Sequence, residues 1–130
     1  MGGSGFDFAS SISIDVSGNV YTTGNFSGTA DFDPGSATYN LTATGVRDIF
    51  ISKLDNSGNF IWAKQLTSTV WGTGHSIAFD GIGNVYIAGS YRGTVDFDPG
   101  IGIFNMTSIG ETDMFILKLD ASGNFVWAKS

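Results

Sequence analysis

The chain has 130 residues, 42% of them hydrophobic, 14% aromatic and 14% charged, with 19 Gly and no Cys. That length suits one domain, and the missing Cys excludes a disulfide framework, a thiolate metal site and a Cys nucleophile. A formal charge of −6 argues against nucleic acid as a partner, since phosphate binding needs clustered Lys and Arg.

Met1 to Gly5 reads as a flexible leader outside the fold. From Phe6 onward the chain is rich in Gly, Ser, Thr, Asn and Asp and poor in strong helix formers, a composition that favours strands and tight turns. Ser11 to Asp15 alternates Ile12 and Ile14 with polar residues, the pattern of a half-buried strand. Asp15-Val16-Ser17-Gly18-Asn19 supplies a turn. A second strand is predicted over about Val20 to Phe26, continuing towards Phe32. Asp33-Pro34-Gly35 predicts a tight turn with Gly in the left-handed region. Tyr39 to Thr42 predicts a short returning strand. Ile49 to Leu54 predicts a third strand and Phe60 to Leu66 a fourth, joined by the turn Asp55-Asn56-Ser57-Gly58-Asn59. The unbroken apolar runs Ile49–Ile51 and Phe60–Trp62 predict a sheet covered on both faces.

The pattern then starts again. Shifted by 65 positions the chain aligns with itself without a gap, and 31 of the 60 pairs from Phe6/Trp71 to Gln65/Ser130 are identical. Gly18-Asn19-Val20-Tyr21 falls on Gly83-Asn84-Val85-Tyr86, and Asp31 to Gly35 falls on Asp96 to Gly100. The chain is therefore two copies of one unit, residues 6–66 and 67–130, after a leader of residues 1–5. Four-stranded antiparallel units in tandem, each sandwiched by neighbours, describe the blades of a β-propeller. A solenoid is the competing architecture, although its turns recur every 20 to 30 residues.

Two motifs carry a family resemblance: Asp-x-x-Gly-Asn-Val-Tyr (Asp15 to Tyr21, Asp80 to Tyr86), and the pattern from Asp48 to Trp62 that recurs from Asp113 to Trp127. On these the chain resembles the bacterial β-propeller repeat of the SBBP type, found in secreted or surface proteins. The Asp-Phe-Asp-Pro-Gly segment makes each unit longer than that repeat. The resemblance implies an all-β propeller and an extracellular or cell-surface setting, while the lack of a catalytic set of residues leads to the expectation of a non-enzymatic role. No basic segment leads into an apolar run, so no signal peptide is expected. No apolar run is long enough to span a membrane.

Propellers close with about four to eight blades. Two blades leave two apolar faces open, and these are complementary because the same contact joins the units within the chain. Head-to-tail association of identical chains then closes a ring with an even number of blades. A homotrimer of six blades or a homotetramer of eight is expected, each blade being built within one chain.

Few residues invite chemistry. Asp31 and Asp33, with their copies Asp96 and Asp98, could offer oxygens to Ca²⁺. They lack the third acidic position and terminal Glu of a 12-residue calcium loop, and their ordinary role is to hold a Pro-Gly turn. No other cofactor is expected. Asp48 and Asp113 precede a buried strand, where Asp commonly satisfies backbone donors. Lys53 and Lys118 lie in apolar strands and are expected to pair with a neighbouring Asp or to extend along the sheet to water, in preference to a catalytic role. His75 is the sole histidine, which gives neither a triad nor a zinc site. Trp62, Trp127, Tyr39 and Phe104 could stack on sugar rings, although Trp in the last strand of a blade ordinarily serves packing. Trp71, read as lying in a loop, is the aromatic best placed to stack on a glycan or protein ligand.

Overall fold

The computed structural model describes residues 1–130. The alternating apolar pattern and the Asp-opened turns produce 13 strands in four antiparallel sheets, without helices. The first unit contains β1 (Gly2–Gly3), β2 (Asp7–Ile14), β3 (Val20–Phe26), β4 (Thr29–Asp31), β5 (Asn40–Thr42), β6 (Asp48–Leu54) and β7 (Phe60–Leu66). The second contains β8 (Trp71–Phe79), β9 (Val85–Arg92), β10 (Thr94–Asp96), β11 (Asn105–Thr107), β12 (Asp113–Leu119) and β13 (Phe125–Lys129). Each unit is a four-stranded meander, β2-β3-β6-β7 or β8-β9-β12-β13, with a small hairpin (β4–β5 or β10–β11) inserted between its second and third strands.

One device closes four of the hairpins. Asp15 Oδ1 accepts the amides of Ser17 and Asn19, and Oδ2 accepts Asn19 Nδ2. Asp55, Asp80 and Asp120 repeat the arrangement with Asn59, Asn84 and Asn124. The fourth residue of each turn is a Gly with φ between 79° and 88°, a conformation that a Cβ would strain.

Several expectations need correction. Gly2 and Gly3 are not a free leader: they pair with Asp31 and Ala30 of β4. The second strand stops at Phe26, because Gly28 takes a positive φ of 66° and turns the chain into β4. Gly35 is not left-handed. Its amide instead donates to Asp33 Oδ1, an Asx turn that holds the loop without a positive φ. The first strand begins at Asp7, earlier than its alternation suggested, with a bulge between Ala9 and Ser11. β6 is enclosed on both faces from Asp48 to Ser52, whereas β12 alternates buried and open residues.

The two meanders stack face to face. The face of the first that carries Tyr21, Thr23, Ile49 and Ile51 (here the front) meets the back of the second, which carries Ile77, Ile87, Phe115 and Leu117. Glycines in β8 permit the close approach. A Cβ at Gly72 would lie 2.8 Å from Ile49 Cδ1, and one at Gly74 would lie 3.2 Å from Thr23 Cβ. Tyr21 sits edge-on to Phe79 at 4.5 Å between ring centres, and Asn25 Nδ2 donates to Thr73 Oγ1 at 3.2 Å. Enclosed apolar side chains of this size contribute roughly 1.5–3 kcal/mol each, as an upper bound.

Candidate functional site

Strand register sorts the polar residues onto two rims. Phe26 pairs with both Asp7 and Asp48, and Ile49 pairs with Leu66. The inserted hairpins and the crossover from β7 to β8 therefore lie at one rim, opposite the four Asp-Asn turns. At the opposite rim Lys53 Nζ is 4.0 Å from Asp15 Oδ2, and Lys118 Nζ is 3.9 Å from Asp80 Oδ2. Both ammonium groups also stand over tyrosine rings, Tyr21 and Tyr86.

At the crossover rim Asp31 Oδ1 accepts the amides of Asp33 and Tyr39, and Asp96 Oδ1 accepts those of Asp98 and Phe104. The Tyr39 amide, then that of Asp33, holds the Asp31 carboxyl below the usual carboxylate range. Asp98 Oδ1 accepts the Gly100 amide. Each pair thus spends one oxygen per carboxylate on its own loop. The second loop also faces Lys64, Gln65 and Tyr39 of the first unit across a cleft of about 290 Å³.

Asp48 has a larger structural role than its place before a strand suggested. It is fully buried and accepts the amides of Thr44, Gly45 and Ser68, the hydroxyls of Thr44 and Ser68, and Gln65 Nε2. It ties the inserted hairpin to the crossover. Its copy Asp113 accepts only the Ile109 amide.

Trp71 does not lie in a loop. It opens β8, is half-buried, and forms a parallel bridge with Arg47. With Val46, Arg47 and Thr73 it lines an open cleft of about 360 Å³. Tyr39 and Phe104 pack on Phe60 and Phe125, each at 4.8 Å, and Trp62 packs edge-on to Tyr21 at 5.8 Å. His75 Nε2 and Ser90 Oγ are 2.7 Å apart on the outer side of the second sheet. The sequence hid this pair because a bulge between Gly74 and Ser76 sets the two strands out of simple register.

No protein-family model matches the chain. Over 107 residues it is 34% identical to the uncharacterized WD repeat-containing protein L264 of Acanthamoeba polyphaga mimivirus, a match covering 72% of this chain and 7% of that protein. Over 83 residues it is 31% identical to the regulatory protein FlaEY of Caulobacter vibrioides, covering 64% of this chain and 9% of that protein. The chain spans less than a tenth of the length of these curated relatives. The likeness points to a β-propeller-type repeat protein.

Blade architecture agrees with it and accounts for the long period. Four-stranded WD blades repeat every 40 to 45 residues or so. Here the excursion between Phe26 and Asp48 adds the hairpin that stretches the unit to 65. Trp62 and Trp127 are followed by Ala, so the Trp-Asp dipeptide itself is absent at these positions.

Proposed function

We propose that this chain is a non-enzymatic, self-assembling β-propeller module of the SBBP-repeat type. Its task is to form a closed homo-oligomeric ring of six or eight blades, as a trimer or tetramer, in an extracellular or surface setting. The observation that carries this reading is the identity of the two uncovered faces. The first sheet's back exposes Ile12 and Ile14, and the second sheet's front exposes Met114 and Ile116. These are the same two kinds of face that already meet inside the chain. A contact between unlike faces leaves one of each free after every addition, so it ends only when the ring closes.

Total area does not make this case. The accessible surface of 6517 Å² is close to the ~6,600 Å² of an ordinary monomer of this mass. What argues for a partner is which residues are open: Ile12, Met114 and Ile116 are exposed, whereas their copies Ile77, Ile49 and Ile51 are buried. Native mass spectrometry tests the reading. The expected species are three or four times the 13.7 kDa chain mass, and a lone chain at micromolar concentration would overturn it.

A second reading draws on the Trp71 cleft. A half-buried Trp beside Arg47 suits stacking on a sugar ring or a peptide side chain, which would make the ring a display platform for a glycan- or protein-binding rim. Binding on a glycan array that disappears with Trp71→Ala would support it, and no binding across a broad array would remove it.

A further inference from the structure

We infer that copies of this chain join in one specific register: Met114 of one copy enters the apolar hollow lined by Phe26, Ala30, Phe32 and Phe50 of the next, and Ala88 of the first opposes Ala9 of the second. The inference rests on the self-assembly reading and goes beyond it by naming the residues that meet.

The register follows from comparing each residue with its copy. Ile49 is 0% exposed and its copy Met114 is 76% exposed; Ile51 is 0% exposed and Ile116 is 49%. On the opposite face Ile77 is 6% exposed and its copy Ile12 is 68%. Inside the chain Ile49 packs at Gly72 and shares one core with Tyr91, Phe97 and Phe115. The copies of Gly72, Tyr91, Phe97 and Phe115 are Asp7, Phe26, Phe32 and Phe50. These four line a hollow of about 140 Å³ in the first sheet's back. The hollow is thus the empty counterpart of the place that Ile49 fills. Its matching side chain in a neighbouring copy is Met114, which is open on the other outer face.

The substitutions between copies complement one another across this contact. Within the chain, Thr23 lies against Gly74, with no room for a Cβ. Between chains the corresponding pair is Ala88 and Ala9. One side gains a methyl where the other loses the threonine hydroxyl and methyl. Likewise Gly72 against Ile49 becomes Asp7 against Met114. An unbranched, flexible thioether can thread past the added side chain where β-branched Ile cannot. A contact surface with no partner would have no reason to trade volume in this paired way.

Engineered disulfides test the register, because the chain has no Cys of its own. At Thr23 and Gly74 the Cβ positions are 3.2 Å apart, near the roughly 3.5–4.5 Å that a disulfide spans. Ala9→Cys with Ala88→Cys lies on opposite outer faces of one chain, so a 9–88 bond must join two chains. Oxidation should trap multimers on a non-reducing gel, with the 9–88 peptide as the main linked species by mass spectrometry. Ala9→Cys with Ala78→Cys should trap far less. Met114→Arg should weaken assembly tenfold or more while leaving the circular-dichroism spectrum unchanged. If native masses show rings but the 9–88 link does not form, or if Met114→Arg assembles as well as the parent chain, the register is wrong and self-assembly stands. If no multimer forms under any condition, both readings fall.

Discussion

Asp15, Asp55, Asp80 and Asp120 each hold a hairpin by accepting from an Asn four residues on, and Asp31 does comparable work in its loop. For Asp55 and Asp80 the Asn side chain is the main cause of a carboxyl held below its ordinary range. For Asp15 and Asp120 burial pushes upward, but the hydrogen bonds and a nearby Lys outweigh it. A carboxyl that ionises more readily folded than unfolded binds fewer protons in the native state. Its contribution is complete above the unfolded value of about 3.9 and is lost as pH falls through the lower folded value. The melting temperature should therefore hold between about pH 5 and 7 and drop below about pH 4; a rise on acidification would contradict this. Asp48 supports a sharper test. Asp48→Asn puts an NH₂ where Oδ2 receives three donors, which should cost about 2–4 kcal/mol. Asp113→Asn should cost under about 1 kcal/mol in denaturant unfolding.

For the strands and hairpins, much was legible because the repeat supplies two readings of every element from β2 onward. The four strands per unit follow from alternation and from the Asp-opened turns. The β4–β5 hairpin was only partly visible. Its return strand showed in Tyr39 to Thr42, but the break at Gly28 did not, since a Gly reveals its φ only once its neighbours are placed. In both inserted loops the acidic pairs already accept from their own backbone. Excess EDTA should leave the melting temperature unmoved, and a drop of several degrees would assign the loops a cation. Gly74 sets how closely β8 approaches the first sheet. Gly74→Ala should cost about 1–3 kcal/mol through overpacking on Thr23, whereas Ala9→Gly, at the open counterpart, should change the stability of a single chain by about 1 kcal/mol or less. Equal losses at the two sites would contradict the stacking described.

On the scale of the whole molecule, the chain has one sealed inter-sheet contact and two uncovered sheet faces, and the proposed assembly would cover both. Stability that depends on association depends on concentration. The melting temperature should rise with protein concentration, and Ile12→Lys on the open back should abolish that rise while the single chain keeps its strands. A melting temperature independent of concentration over a hundredfold range would show that the open faces do nothing for stability.

The repeat, the four meander strands of each unit and the Asp-Asn turns were decided by the sequence alone, because they rest on interactions within a few residues or on a pattern present twice. The environments of Trp71, Asp48, Met114 and the first two glycines were decided only by tertiary structure. Each depends on what a distant segment places beside it: Arg47 beside Trp71, Ser68 on Asp48, β4 beside Gly2 and Gly3. Met114 and Ile49 occupy the same position in the repeat, yet one is open and the other sealed. Burial belongs to the neighbour that arrives, and the local sequence does not encode it.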